Sequence, residues 1–247
     1  MTPVDAPLDC LAVGAHPDDV EIACGGTLAK LALQGYRVGI VDLTDGEPTP
    51  HSPGPDARLA EAKIAAETLG VQVRIQLNLP NRRLFDCFEA RVALAKIFRR
   101  YQPRLVLGMF DKTPLASPDH YQAVQITDAA IFYSRLSKWD EAFDGLPVFH
   151  VPAYMYYSLT FGTVPLVGAG GQIVVDIADT LDTKLRAIQC YQTQFSHKPG
   201  IIERVRAHAV QQGHTAGVPA GELLLCPRML ATNDLMGLLF GGSKGEG

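Results

Sequence analysis

Apolar residues recur along this chain in two alternating patterns. Segments 8–13, 37–43, 71–77 and 105–109 are rich in Val, Leu and Ile and read as strands, and 105–109 is a continuous apolar run of the kind parallel strands show. Between them lie stretches with helical spacing. One covers 27–34, opened by Gly25-Gly26 and ended by Gly35; a second covers 57–69 and stops at Gly70. A third covers 89–101, its end set by Pro103, and a fourth covers 119–133. This alternation predicts an α/β fold: a Rossmann-like, mostly parallel sheet with helices on both faces. Beyond Trp139 the regularity falls. Segments 153–160 and 173–177 read as strands, and 180–194 and 201–211 as helices. Pro- and Gly-rich loops fall at 46–56, 110–119, 161–172 and 213–221. No internal repeat or interdomain linker is visible, so residues 1–240 are expected to form one domain, with 241–247 a disordered tail.

In an open α/β sheet, ligands bind beyond the carboxyl ends of the strands. Polar clusters stand at four such ends: His16-Pro17-Asp18-Asp19, Thr44-Asp45-Gly46-Glu47, Leu79-Pro80-Asn81-Arg82, and the loop leading to Asp119-His120. An apolar strand running into an imidazole and two carboxylates serves no folding purpose. His16 and Asp19 stand three residues apart, a spacing that lets both reach one metal ion while Asp18 projects elsewhere. A catalytic zinc site takes three protein ligands and keeps one position open. The third ligand is expected on another strand-end loop, and His120 has that position. Taken singly, His16 reads as a helix cap and His120 as a surface histidine; together, at matching sheet ends, they read as a site.

Composition narrows the class. Of 247 residues, 47% are hydrophobic and 19% charged, with net charge -4, which suits a globular core. Arg82-Arg83 and Arg99-Arg100 are the only basic doublets, so no nucleic-acid surface is expected. No apolar run approaches the roughly 18–20 residues that span a bilayer, and the N-terminus shows no signal peptide pattern. Cys10, Cys24, Cys87, Cys190 and Cys226 are widely spaced and odd in number, which argues against disulfides or a thiolate zinc site. A cytoplasmic protein acting on a small molecule is expected.

Residues 13–19, Val-Gly-Ala-His-Pro-Asp-Asp, together with Pro118-Asp119-His120, resemble the signature of the LmbE/PIG-L family. Arg58-x-x-Glu61, Leu79-Pro80-Asn81-Arg82, Val175-Asp176-Ile177, Lys184 and Tyr191-x-x-Gln194 extend the resemblance over nearly the whole chain. These are zinc-dependent de-N-acetylases of N-acetylglucosaminyl conjugates, including deacetylases of bacillithiol and mycothiol synthesis. The resemblance implies His16, Asp19 and His120 as zinc ligands, Asp18 as general base and a possible homo-oligomer. Fe(II) or Co(II) suits the same ligands. The family usually has a histidine where this chain has Ser117, for oxyanion stabilisation or proton donation. A serine hydroxyl donates one hydrogen bond but carries no charge near neutral pH. Lys112 lies five residues earlier, and His214 is the candidate replacement.

The other polar groups carry finer expectations. Asp119 either orients a ligand imidazole or caps the following helix. Arg58, Arg82 and Glu47 are candidates for holding substrate, with an ion pair from Arg58 to Glu61 or Glu47 as the alternative. Phe161 and Tyr157 either line an aglycone pocket or pack. Two other readings compete. A nucleotide-binding Rossmann module is disfavoured because no Gly-x-Gly-x-x-Gly follows the first strand. A metal-binding family member with lost catalysis is motivated by Ser117 and opposed by the presence of Asp18.

Overall fold

The computed structural model describes residues 5–159, 161 and 171–233. The expected tail at 241–247 and most of the loop at 161–172 lie outside the described residues. Strands β1 (Cys10–Gly14), β2 (Val38–Thr44), β3 (Val73–Leu79), β4 (Leu105–Met109), β5 (Ala153–Tyr157), β6 (Gln172–Asp176) and β7 (Gly221–Leu225) form one sheet in the order β3-β2-β1-β4-β5-β7-β6. The pairs β3-β2, β2-β1, β1-β4 and β4-β5 are parallel, while β7 runs antiparallel to both its neighbours. The strand order reverses direction between β1 and β4, which opens the crevice where an open α/β sheet binds ligands.

The helices are α1 (Asp19–Leu33), α2 (Pro55–Leu69), α3 (Phe88–Tyr101), α4 (Asp119–Tyr133), α5 (Leu181–Gln189), α6 (Gln192–Phe195) and α7 (Ile201–Thr215). Right-handed crossovers put α1 and α2 on one face, where both pack on α5; α3 packs on α4 on the other. The core is apolar and continuous across β1, β2 and β4; Leu11, Ala12, Val13, Ile40, Val41, Val106 and Leu107 are buried. Tyr157 belongs to it: its hydroxyl donates to the Val13 carbonyl at 2.6 Å, so it packs rather than lining a pocket. Among the described residues, no helix is long and apolar enough to cross a membrane.

Most expected elements form within a few residues of their predicted bounds, and four departures have physical causes. Helix α1 starts at Asp19 rather than Thr27, but it kinks at Cys24 (φ −137°, ψ 20°). The kink frees the amides of Gly26 and Thr27, which donate to the Glu222 carboxylate at 2.9 and 2.6 Å. The predicted start at Gly25-Gly26 is therefore the start of the second half-helix, capped from a distant strand. The helix expected over 180–194 breaks at Tyr191, which is drawn into the core so that its hydroxyl donates to Glu21 Oε1 at 2.7 Å. Helix α7 runs past Gly213 to Thr215. A Cβ on Gly213 would sit 2.6 Å from backbone atoms of Ala220, so that glycine serves close packing rather than helix termination. Strand β7 is short and follows a glycine-rich stretch, so the apolar pattern does not predict it.

Glu222 is also paired with Lys184 Nζ at 2.6 Å, and both are buried. Removing one partner of a buried pair leaves the other uncompensated. Glu222→Ala is expected to lower stability by about 3–5 kcal/mol. Denaturant unfolding of this variant, of Lys184→Met and of the double variant checks it; purely additive losses would show that the two do not act as a pair.

Candidate metal centre and its cleft

Parallel β1 and β4 are hydrogen-bonded neighbours, so the segments leaving their carboxyl ends emerge side by side. His16 lies just past β1, Asp19 opens α1 and His120 stands in the first turn of α4. Each offers one ligand atom, all within 4.8 Å of one another. His16 Nδ1 is 3.3 Å from Asp19 Oδ2, and His120 Nε2 is 3.5 Å from Asp19 Oδ1. These gaps exceed the roughly 2.7–2.9 Å of charge-assisted hydrogen bonds. Ligands at about 2.0–2.1 Å from a tetrahedral zinc stand roughly 3.3 Å apart. The spacing is that of donors around a common centre, and two imidazoles with a carboxylate suit zinc or a similar divalent ion.

Asp119 fixes this arrangement. Its Oδ2 accepts the Arg82 backbone N–H at 2.6 Å and lies 3.3 Å from His16 Nε2. One nitrogen of His16 is thereby committed, and the other faces Asp19. Asp119 does not cap α4: Pro118 holds the N-cap position, and no side chain caps it. Burial pulls the His16 imidazole down, but Asp19, Asp119 and Asp18 outweigh it and raise it to about 10. Burial pushes Asp19 up, while His120 and His16 bring it down to about 2.

Asp18 stands beside this triad but outside it. Its backbone is in the left-handed region (φ 109°). There Oδ2 accepts from Arg58 Nη2 at 2.9 Å. Burial raises Asp18, Arg58 opposes, Asp19 adds to the rise, and the result is about 7. Arg58 is buried, donates also to the Pro17 carbonyl, and lies over the Tyr191 ring with Cζ 5.2 Å from the centroid. Its Nε and Nη1 have no partner. Behind it, Glu21 accepts from Arg74 Nη1 at 2.6 Å, and Arg74 forks onto Asp42 through Nε and Nη2 at 2.7 and 2.9 Å.

A cleft of about 320 Å³ opens over these groups. His16, Asp18, Asp19, His120, Arg58, Arg82 and Ser117 all line it. Phe161 lines it too. Several expectations need correction. Arg58 pairs with Asp18 and Pro17, not with Glu61 or Glu47. Glu61 instead binds the Thr193 amide and hydroxyl. Glu47 does not line the cleft: its carboxylate folds back onto the Thr49 amide and hydroxyl at 2.8 and 3.0 Å. His214 is exposed in the last turn of α7, beside Gly217, Val218 and Pro219, and does not join the cleft. Lys112 sits near the Tyr121 ring instead. Asn81, from a polar cluster named at a strand end, and Gln194, from the family resemblance, both line the cleft; sequence reasoning missed Thr49 and Lys198 there, and it missed the Glu21–Arg74–Asp42 support. A lone arginine inside the third apolar run was the available signal for that support.

At neutral pH the metal-free His16 carries a proton, which a bound cation must displace. Zinc binding is therefore expected to release protons and to weaken as pH falls. Calorimetry in buffers of different ionisation enthalpy reads this, and buffer-independent heats would refute it. His120→Ala is expected to lose stoichiometric zinc by elemental analysis.

Residues 11–131 match the family described as PIG-L, GlcNAc-PI de-N-acetylase. The chain is 30% identical over 195 residues to a diacetylchitobiose deacetylase of Thermococcus kodakarensis, covering 75% of this chain and 69% of that one. It is 26% identical over 243 residues to a 1D-myo-inositol 2-acetamido-2-deoxy-alpha-D-glucopyranoside deacetylase of a Mycobacterium species, covering 79% of each. The crystal structure of the conserved protein TT1542 of Thermus thermophilus superposes with a TM-score of 0.78 at 31% identity, over 91% of this chain and 97% of that one. A candidate ligand triad at the β1/β4 switch point, a relative aligned along most of both chains and a shared fold lead to one assignment: this chain belongs to the PIG-L family.

Proposed function

We propose that this chain is a zinc-dependent de-N-acetylase that hydrolyses the acetamide of an N-acetylglucosaminyl conjugate or a related small N-acetyl compound in the cytoplasm. The observation that carries the reading is Asp18: a carboxylate beside the ligand triad, not part of it, held by a buried arginine and open to the cleft. Both curated relatives described above are named as deacetylases of acetamido sugars.

His16, Asp19 and His120 are the residues that would hold the zinc, which supplies Lewis acidity toward a carbonyl and acidifies water. Asp18 accepts the proton of the attacking water as its oxygen bonds to the acetamide carbon. The C–N bond then breaks, and Asp18 returns that proton to the leaving amine, so acetate and a free amine leave. A carboxyl poised near 7 suits both halves of this exchange. Arg58 fixes the carboxylate through Nη2, and its buried Nε and Nη1 have no hydrogen-bond partner. Arg82 lines the cleft and is exposed, which suits the proposed contact with the aglycone. Ser117 Oγ offers one neutral hydrogen bond where the carbonyl oxygen gains charge, a weaker device than a charged donor.

The Ser117 substitution also favours a second reading, a metal-binding member with lost catalysis. A screen of amino-sugar conjugates for acetate release, with metal analysis of the same sample, separates them: zinc without acetate supports the second. Asp18→Asn is expected to keep zinc while turnover falls by about two to four orders of magnitude. Near-wild-type turnover would remove Asp18 from its role. His214→Ala is expected to leave the rate unchanged, and Ser117→Ala to lower it several-fold in steady-state assays; the reverse pattern would restore His214 as the missing donor.

A further inference from the structure

Two histidines outside the triad are brought together by the walls of the cleft. His51 lies in the loop between β2 and α2, and His197 lies between α6 and α7. Both are exposed, yet their ring centroids are only 3.9 Å apart with the planes inclined by 36°. The two segments are already joined on the cleft side: Gln194 Nε2 donates to Thr49 Oγ1 at 2.9 Å, and both residues line the cleft. Phe195 and Lys198, which flank His197, line it as well.

We propose that His51 and His197 form a second divalent-metal site, of the zinc and copper class, that straps the two walls of the cleft together. Two imidazole nitrogens on one tetrahedral zinc stand roughly 3.3 Å apart. Rings with centroids 3.9 Å apart reach that separation by small side-chain rotations, which exposed side chains are free to make. Imidazole ligands select zinc, copper and nickel over magnesium and calcium, with copper bound most tightly. Loss of hydration, His51 and Lys198 together lower His197, which keeps it in the neutral form that ligates. Lys198 is the cation facing the pair; its ammonium lies over the Phe195 ring, 5.2 Å from the centroid. The pair supplies two ligands and leaves the remaining positions to water, so it binds more weakly than the triad and fills after it. A metal there ties residue 51 to residue 197 and stiffens the mouth through which substrate enters.

The test is zinc stoichiometry of the full chain, dialysed against graded free zinc, for wild type, His51→Gln, His197→Gln and the double variant. Wild type is expected to take up one equivalent more than the double variant, with each single variant losing that equivalent; magnesium adds none. Equal stoichiometry in wild type and double variant overturns the proposal. All four proteins keep the triad, so the difference reads the pair whether or not the deacetylase reading is correct. Cupric ion added to zinc-loaded protein gives a spectroscopic check: nitrogen hyperfine structure in the wild-type paramagnetic resonance spectrum that is missing from the double variant supports the pair, and identical spectra count against it. For the strap, excess zinc is expected to raise the KM of wild type several-fold and to leave the double variant unaffected. Equal inhibition of both would show that the strap does not form.

Discussion

The first turn of α1 carries more buried negative charge than a protein interior accepts without compensation. Asp18, Asp19 and Glu21 fall within four positions, and each carboxylate withdrawn from water costs several kcal/mol unless it is paired. Each has its own cation or proton donor, and most of these come from elements distant in sequence. Asp18 has Arg58 from α2, Glu21 has Arg74 from β3 and Tyr191 from the segment after α5, and Asp19 faces His16 and His120. The parallel sheet makes this possible because β1, β2, β3 and β4 deliver their groups to one region. Among the three, Asp19 alone is matched with imidazoles rather than with a fixed cation. That difference separates a ligand set from a salt bridge.

Half of the site was legible in the sequence. Hydrophobic periodicity located β4 and α4 and came close on the other early elements, because their neighbours in the sheet are also their neighbours in the fold. Apolar strands ending in polar clusters pointed to the triad for the same reason. The support around the triad was not legible. Arg74 sits in a strand and pairs with carboxylates from α1 and β2, a relation that depends on register and not on spacing. Glu47 and His214 looked functional by position, yet a local turn captured the first and a longer helix carried the second away. The C-terminal third was least readable, since its strand β7 runs against its neighbours and its helices are fixed by tertiary demands such as that of Tyr191.

The proposed metal half and the proposed proton half of the site differ in construction. The ligand atoms converge from two strand ends with Asp119 bracing one of them, an arrangement that rigid elements enforce. Asp18 is instead held in an unusual backbone conformation by a single arginine that packs on an aromatic ring. Ser117 adds only a neutral donor. Under the proposed function, the chemistry rests on the electrostatics of Asp18 and Arg58 to a greater degree than a site with a charged residue at position 117 would require.

The carboxylate of Glu222 ties the candidate centre to a strand far from it in sequence. It caps the second half of α1, yet it lies 195 and 196 residues beyond the amides it accepts. The kink inside the helix that begins with Asp19 is thus completed by a strand from the opposite end of the described residues. The amino-terminal half carries all three candidate ligands, yet the helix that Asp19 opens takes its second cap from β7.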